Sequence, residues 1–199
     1  MEQLQALDSL AVKQIKEMGE ILTGFETRNR YSVISPDGSE LYFAEEVGGS
    51  FLTRIFLKAA RPFTITLNDP GKKTVLTLKR PFRWFFYELS VYNSEGTLLG
   101  SIKRQFELLR RVYSIMDAQG QEMFQLFGPI LHPWTFRIMK QGEELGKITK
   151  KWSGLLKESF TDADNFGVIF PAGIEVSQKA VLLGAVFLID FAHFENTGR

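Results

Sequence analysis

The stretch SQKAVLLGAVFLIDFAHFE, residues 177–195, reads as a helix that is apolar on nearly every side. Its uncharged run, Ala180 to Ile189, is ten residues long, whereas crossing the ~30 Å hydrocarbon layer of a bilayer takes about 20. Asp190, His193 and Glu195 follow. A helix apolar all round and too short to span belongs inside a protein core. The rest of the chain must therefore supply walls around it.

Upstream, from Tyr31 to Thr149, the helical period disappears. Short runs rich in Val, Ile, Phe, Tyr and Thr alternate with polar turns of one recurring kind: SPDGSELYF, NDPGKKTVLTL, NSEGTLLGSI, DAQGQEMFQL and KQGEELGKI. Their glycines, Gly38, Gly71, Gly96, Gly120 and Gly142, stand 33, 25, 24 and 22 residues apart. Each sits where a permissive backbone suits a hairpin turn, which predicts at least five hairpins in series. A propeller blade normally needs ~40 residues for its four strands. Two strands per unit instead favour a meander that closes on itself and so removes its exposed edges. The expected architecture is all-β with helices: a closed antiparallel barrel of ten to twelve strands, wide enough to hold the C-terminal helix on its axis.

Near the N-terminus, Leu7, Ala11, Ile15, Met18 and Leu22 recur at steps of three or four, with Gly24 as a stop. The spacing predicts an amphipathic helix within residues 1–24, packed on a barrel domain of residues 25–199 whose central helix covers about 177–195. Lying on lipid is the other use of such a stripe. This segment has no continuous apolar run of the kind a secretory signal carries, so the protein is not expected to be secreted.

Composition narrows the function. The 199 residues carry 24 Lys and Arg against 23 Asp and Glu, a net charge of +1, which argues against nucleic acid as a partner bound by bulk phosphate attraction. The absence of Cys excludes disulfides, zinc-thiolate sites, a Cys nucleophile and S-acylation. The two histidines, His132 and His193, have no Ser or Cys nearby in a nucleophile setting, and no GxSxG, Walker or GxGxxG pattern occurs. No catalytic residue can be named, and an enzyme is not expected. A hydrolase using scattered carboxylates is the third and weakest class of function.

Two features point elsewhere. In TDADNFGVIFPAG, Asp162, Asp164 and Phe166 would occupy positions 1, 3 and 5 of a twelve-residue calcium loop, with Gly173 at position 12. Ca²⁺ wants six to eight oxygens, usually with a bidentate carboxylate closing the loop; here position 5 is aromatic and position 12 has no side chain. The alternative is a turn in which Asp162 or Asp164 accepts backbone hydrogen bonds. The second feature is three aromatic segments beside the turn repeats. They are 51–58 with Phe51, Arg54 and Phe56, 81–87 with Phe82, Arg83, Trp84, Phe85 and Phe86, and 131–137 with Trp134. If the glycine turns mark one end of the barrel, these connections fall towards the other. Aromatic rings interleaved with cations suit a membrane interface, and they equally suit a seal over the end of the helix.

Taken together, ILTGFETRNRYSV, YFAEE, RPFTI, LKRPFRW, GKITKKWSGLLKESFTDADNFGVIFP and KAVLLGAVFLIDFAHFENTG resemble the phospholipid scramblase family, in the same order from about Leu4 to Gly198. The resemblance implies the tubby-like fold shared with LURP-one-related proteins, a closed twelve-stranded barrel around a hydrophobic C-terminal helix. It also implies membrane association and ATP-independent, calcium-stimulated movement of phospholipid between leaflets. The family's proposed calcium loop aligns with Asp162 to Gly173, and Asp162, Asp164, Phe166, Val168 and Phe170 match its pattern. Its closing acid is absent at Gly173.

Two further departures matter. Animal scramblases carry Cys-rich, partly palmitoylated stretches that align with the three aromatic segments, where this chain has Phe, Trp, Leu and Ile. It also lacks their Pro-rich N-terminal extension, as a minimal bacterial member would. Reversible docking at the cytoplasmic face of a membrane is then expected in place of stable lipid anchoring. The family's C-terminal helix has been described as transmembrane, against which stands the cost of placing Asp190 near the bilayer centre. The competing expectation is a binding module without transport that holds a phospholipid or phosphoinositide, a fatty ligand or a protein partner.

Overall fold

The structure is a computed structural model that describes residues 1–15, 30–48, 62–82, 87–107, 110–129, 131–132, 134–150 and 165–193. A short 3-10 turn, Glu2–Leu4, leads into β1 (Ser9–Ile15), β2 (Arg30–Ile34), β3 (Glu40–Val47), β4 (Phe63–Asn68), β5 (Thr74–Arg80) and β6 (Glu88–Asn93). Then come β7 (Leu98–Arg104), β8 (Arg111–Asp117), β9 (Glu122–Gly128), β10 (Thr135–Lys140), β11 (Glu143–Lys150), β12 (Asn165–Ile169) and the helix α1 (Val176–His193). Each strand pairs antiparallel with its sequence neighbours and β1 pairs with β12, so the sheet closes into a twelve-stranded barrel.

Alternation decides which side of each strand faces inward. Phe63, Ile65 and Leu67 of β4, Leu76 and Leu78 of β5 and Phe136 and Ile138 of β10 are buried, and their neighbours along the chain are more exposed, whereas β12 is buried from Asn165 to Val168. The five expected glycine turns are the five short hairpins β2–β3, β4–β5, β6–β7, β8–β9 and β10–β11. In the β6–β7 turn, Asn93 Oδ1 accepts from the backbone N–H groups of Glu95 at 3.0 Å and Thr97 at 2.8 Å, while Gly96 takes φ +80°. Asp117 repeats this arrangement in the β8–β9 turn, with accepting distances of 2.9 and 2.8 Å. In the β4–β5 turn the left-handed position falls on Lys72 (φ 64°), one residue after Gly71. Every one of these hairpins also shifts register within its pairing, and such bulges add the twist that closure demands.

The helix lies along the barrel axis. Every residue from Lys179 to Phe191 is buried, and α1 touches opposite walls: Tyr31 of β2 packs edge-on against Phe187, Phe63 of β4 meets Phe191, and Phe136 of β10 meets His193. It approaches β6 and β7 most closely, where a glycine on the helix and one on the wall each leave room for a valine opposite. A Cβ on Gly184 would stand 2.7 Å from Val91 Cγ2, and one on Gly100 would stand 2.9 Å from Val181 Cγ2. The helix is long and apolar enough to cross a membrane by composition alone, yet 72% of that span is buried inside the barrel.

One expectation is corrected. Ser9–Ile15, expected to begin an N-terminal helix, is β1, and it joins β2 to β12. Leu10 and Val12 point into the core, and Leu4 and half-buried Leu7 pack against the same cluster. A seven-residue stretch with apolar groups at both spacings follows the partners available, and two open strand edges outweigh a weak helical stripe. Residues 16–24, the remainder of that expected helix, lie outside the described residues.

Candidate functional site

The two ends of the barrel differ in kind. One carries the five short hairpins and the entry to α1, and we call it the turn end. At the opposite, loop end the strands are joined through 16–29, 48–62, 81–87, 105–110, 129–134 and 151–164. All three aromatic segments picked out in the sequence belong to loop-end connections or begin next to them. Phe82 and Trp134 are each 39% exposed there. Phe51, Arg54, Phe56, Arg83, Trp84, Phe85 and Phe86 lie outside the described residues.

Beneath this surface the last turns of α1 meet a layer of buried polar groups. Tyr31 Oη donates to Asp190 Oδ2 at 2.9 Å, and Lys150 Nζ lies 3.5 Å from Asp190 Oδ1, with both side chains of the ion pair 7% exposed. The Arg80 guanidinium, also buried, sits over the rings of Tyr87 at 4.7 Å, Phe191 at 5.1 Å and Phe63 at 5.6 Å. His193 Nε2 and Tyr113 Oη are 2.7 Å apart. Burial, reinforced by the Arg111 and Arg104 charges, pushes the His193 imidazole down to about 3, so the ring is neutral. Burial pushes the Tyr113 phenol upward, so both groups of this pair are uncharged at neutral pH. At the turn end the helix is tied by Lys179, whose Nζ donates to the carbonyls of Leu4, Gln5 and Leu7 at 3.1, 2.8 and 2.7 Å.

Charge is sorted along the axis. Asp8, Asp37, Glu40, Asp69, Glu95, Asp117, Glu122, Glu143, Glu144 and Glu175 cluster at the turn end, where Lys72, Lys73 and Lys140 are the exposed cations. At the loop end, Arg30, Lys79, Arg80, Lys103, Arg104, Arg110, Arg111 and Lys150 outnumber Glu45, Glu46, Glu88, Glu107 and Asp190. By sequence, the connections 48–62 and 81–87 add Arg54, Lys58, Arg61 and Arg83, while 16–29 and 151–164 are mixed in sign. A net charge of +1 conceals this separation.

The candidate calcium window divides between strand and turn. Phe166, Val168 and Phe170 are buried, the first two on β12 and Phe170 just after it. They contribute no side-chain oxygen, and β12 pairs with β1 on one side and β11 on the other, which engages its backbone groups in the ladders. Gly173 takes φ +70° in the turn before α1. The described part of the window therefore does not fit a calcium loop. Asp162 and Asp164 lie outside the described residues, among which no group of three or more His, Asp or Glu side chains could hold a metal.

Reading the sequence for aromatic runs beside turns passed over one loop-end connection. Phe106, between β7 and β8, is 85% exposed, as Leu131 is at 88% at the head of the 131–137 segment already singled out. The signal was present in RQFELLRR, residues 104–111, where apolar residues are bracketed by arginines. It is shorter and less aromatic than the other three segments.

Comparison with known proteins agrees with this architecture. The sequence profile described as Scramblase matches residues 1–196. The chain is 37% identical to mouse phospholipid scramblase 1 over 213 residues, covering 100% of this chain and 65% of that protein. It is 35% identical to the human protein of the same name, covering 100% and 66%. Bovine phospholipid scramblase 2 is 34% identical, with 99% and 72% covered. The chain thus spans just under two thirds of the length of the scramblase 1 proteins. In fold alone it is similar to a solved protein structure from Arabidopsis thaliana, with a TM-score of 0.53, 13% identity, and 96% of this chain and 94% of that one covered. A twelve-stranded tubby-like barrel threaded by its own apolar helix, matched by the family profile over nearly its whole length, places this chain in the Scramblase family.

Proposed function

We propose that this protein docks reversibly on the cytoplasmic face of phospholipid membranes through the loop end of its barrel and handles phospholipid there. The sorting of charge and exposed aromatic groups to one end carries the reading. Cations facing anionic headgroups, with Phe and Trp at the same level, match the chemistry of a membrane interface, whereas an acidic turn end is repelled by it. The relatives' names add phospholipid scrambling as the activity, and a lipid-moving protein needs no catalytic constellation.

Flotation with vesicles tests the docking. Phosphatidylserine-containing vesicles are expected to carry the protein at low salt and to release it as salt rises, because surface attraction is screened within about 8 Å at physiological ionic strength. Equal binding to pure phosphatidylcholine would refute the electrostatic reading. Movement of lipid is tested in proteoliposomes by dithionite quenching of fluorescent phospholipid, with and without Ca²⁺. Calcium-independent behaviour is expected, because the described part of the calcium window, residues 165–173, offers no carboxylate. A calcium-dependent increment lost in Asp162→Asn with Asp164→Asn would reverse that expectation.

A second reading, a membrane-bound binding module without transport, is favoured by one observation. The barrel axis is filled by α1, so lipid cannot pass through the lumen. Scrambling would have to run along the outside of the barrel or through bilayer that the barrel deforms. No quenching above empty liposomes, together with retained flotation, selects the module.

A further inference from the structure

The β7–β8 corner differs from the rest of the loop end. β7 closes with Arg104 and β8 opens with Arg111, and the backbone of Gln105 donates to the Val112 carbonyl at 2.9 Å, which pins the base of the connection. Arg104 lies over the Tyr87 ring at 5.2 Å and Arg110 over Phe127 at 5.7 Å. Neither has an ion pair among the described residues. Arg111 stacks on Phe136 at 4.7 Å and donates to the Pro129 carbonyl at 3.3 Å. Cations near the C-terminal end of α1 also complement its carbonyls, which accounts in part for Arg104 and Arg111. It does not account for exposed Arg110, nor for Phe106, a large apolar side chain in the same connection left 85% in water. An isolated exposed apolar residue is ordinary. One that stands in the same short connection as three arginines, at the cationic end of the barrel, suits an apolar wedge flanked by phosphate-binding groups.

We propose that the β7–β8 corner is the element that grips an anionic phospholipid surface, with Phe106 entering the acyl layer while Arg104, Arg110 and Arg111 hold headgroup phosphates. The inference rests on the docking reading above and makes it specific: this corner is the principal contact. Glu107, beside Phe106, is the opposing charge, and its carboxylate weakens the grip.

The absence of Cys permits single-site labelling. Phe106→Cys and, as a turn-end control, Glu95→Cys are each coupled to an environment-sensitive dye and mixed with vesicles of phosphatidylserine in phosphatidylcholine. The dye at position 106 is expected to move to an apolar environment and the dye at 95 to stay in water. Arg110→Glu is expected to keep the wild-type melting temperature and to weaken vesicle binding by about tenfold or more, and Glu107→Gln to strengthen it. If the protein floats with vesicles while the dye at 106 stays aqueous, or if Arg110→Glu binds normally, this corner is wrong and docking by another part of the loop end stands. If nothing floats, the inference and the docking reading fall together.

Discussion

The turn end and the loop end are built from the same twelve strands, yet they obey different rules. At the turn end, short connections satisfy themselves locally: Asn93 and Asp117 bind backbone N–H groups within four residues, and left-handed positions are filled by Gly96 and Gly120. At the loop end, connections leave Phe106 and Leu131 in water, and buried Tyr31 finds its partner in Asp190, 159 residues away. The contrast separates an end whose connections are specified by local hydrogen bonds from one whose connections leave apolar surface exposed.

The sharpest way to break this contrast is Asp190→Ala. It removes the acceptor that Tyr31 and Lys150 share and leaves a buried ammonium, at an expected cost of about 3–5 kcal/mol in chemical denaturation. Adding Lys150→Met should recover part of that loss. If Asp190→Ala melts like the wild type, the loop-end layer is not held as described.

A smaller effect follows from His193. Burial holds its folded-state value at about 3 against an ordinary 6.5, so the unfolded chain takes up a proton first as pH falls. Stability is therefore complete above pH 6.5 and declines towards pH 3, with roughly 2 kcal/mol lost by pH 5. His193→Phe should flatten that slope in pH-dependent melting, and an unchanged slope would place its origin elsewhere.

The turn end should yield least. Gly96→Ala forces a Cβ into φ +80° with nothing within 4 Å to clash, so only backbone strain remains. The expected loss is about 1 kcal/mol with vesicle binding unchanged. A binding defect in this variant would blur the division between the ends.

Much of this architecture was legible in residues alone. The interval between glycine turns announced hairpins, and the ten-residue uncharged core of α1 was too apolar for a surface. Both signals are local, since a turn or a helix is set largely by neighbours a few residues apart. The family pattern was legible for the same reason, being written in contiguous segments. β1 was misread because its seven residues carry both periodicities, and only the open edges of β2 and β12 decide between them. The calcium window looked plausible as a string, yet Phe166 and Val168 proved to be inward positions of a strand paired on both sides. Arg104, Phe106, Arg110 and Arg111 stand together in the sequence, yet the 85% exposure of Phe106 and the separation of acids from cations along the barrel appear only in the folded chain. The sequence by itself determined the elements and their kind, through local sterics and hydrophobic period. Only barrel closure determined which residues share an end, because strands that alternate in direction bring together connections dozens of residues apart.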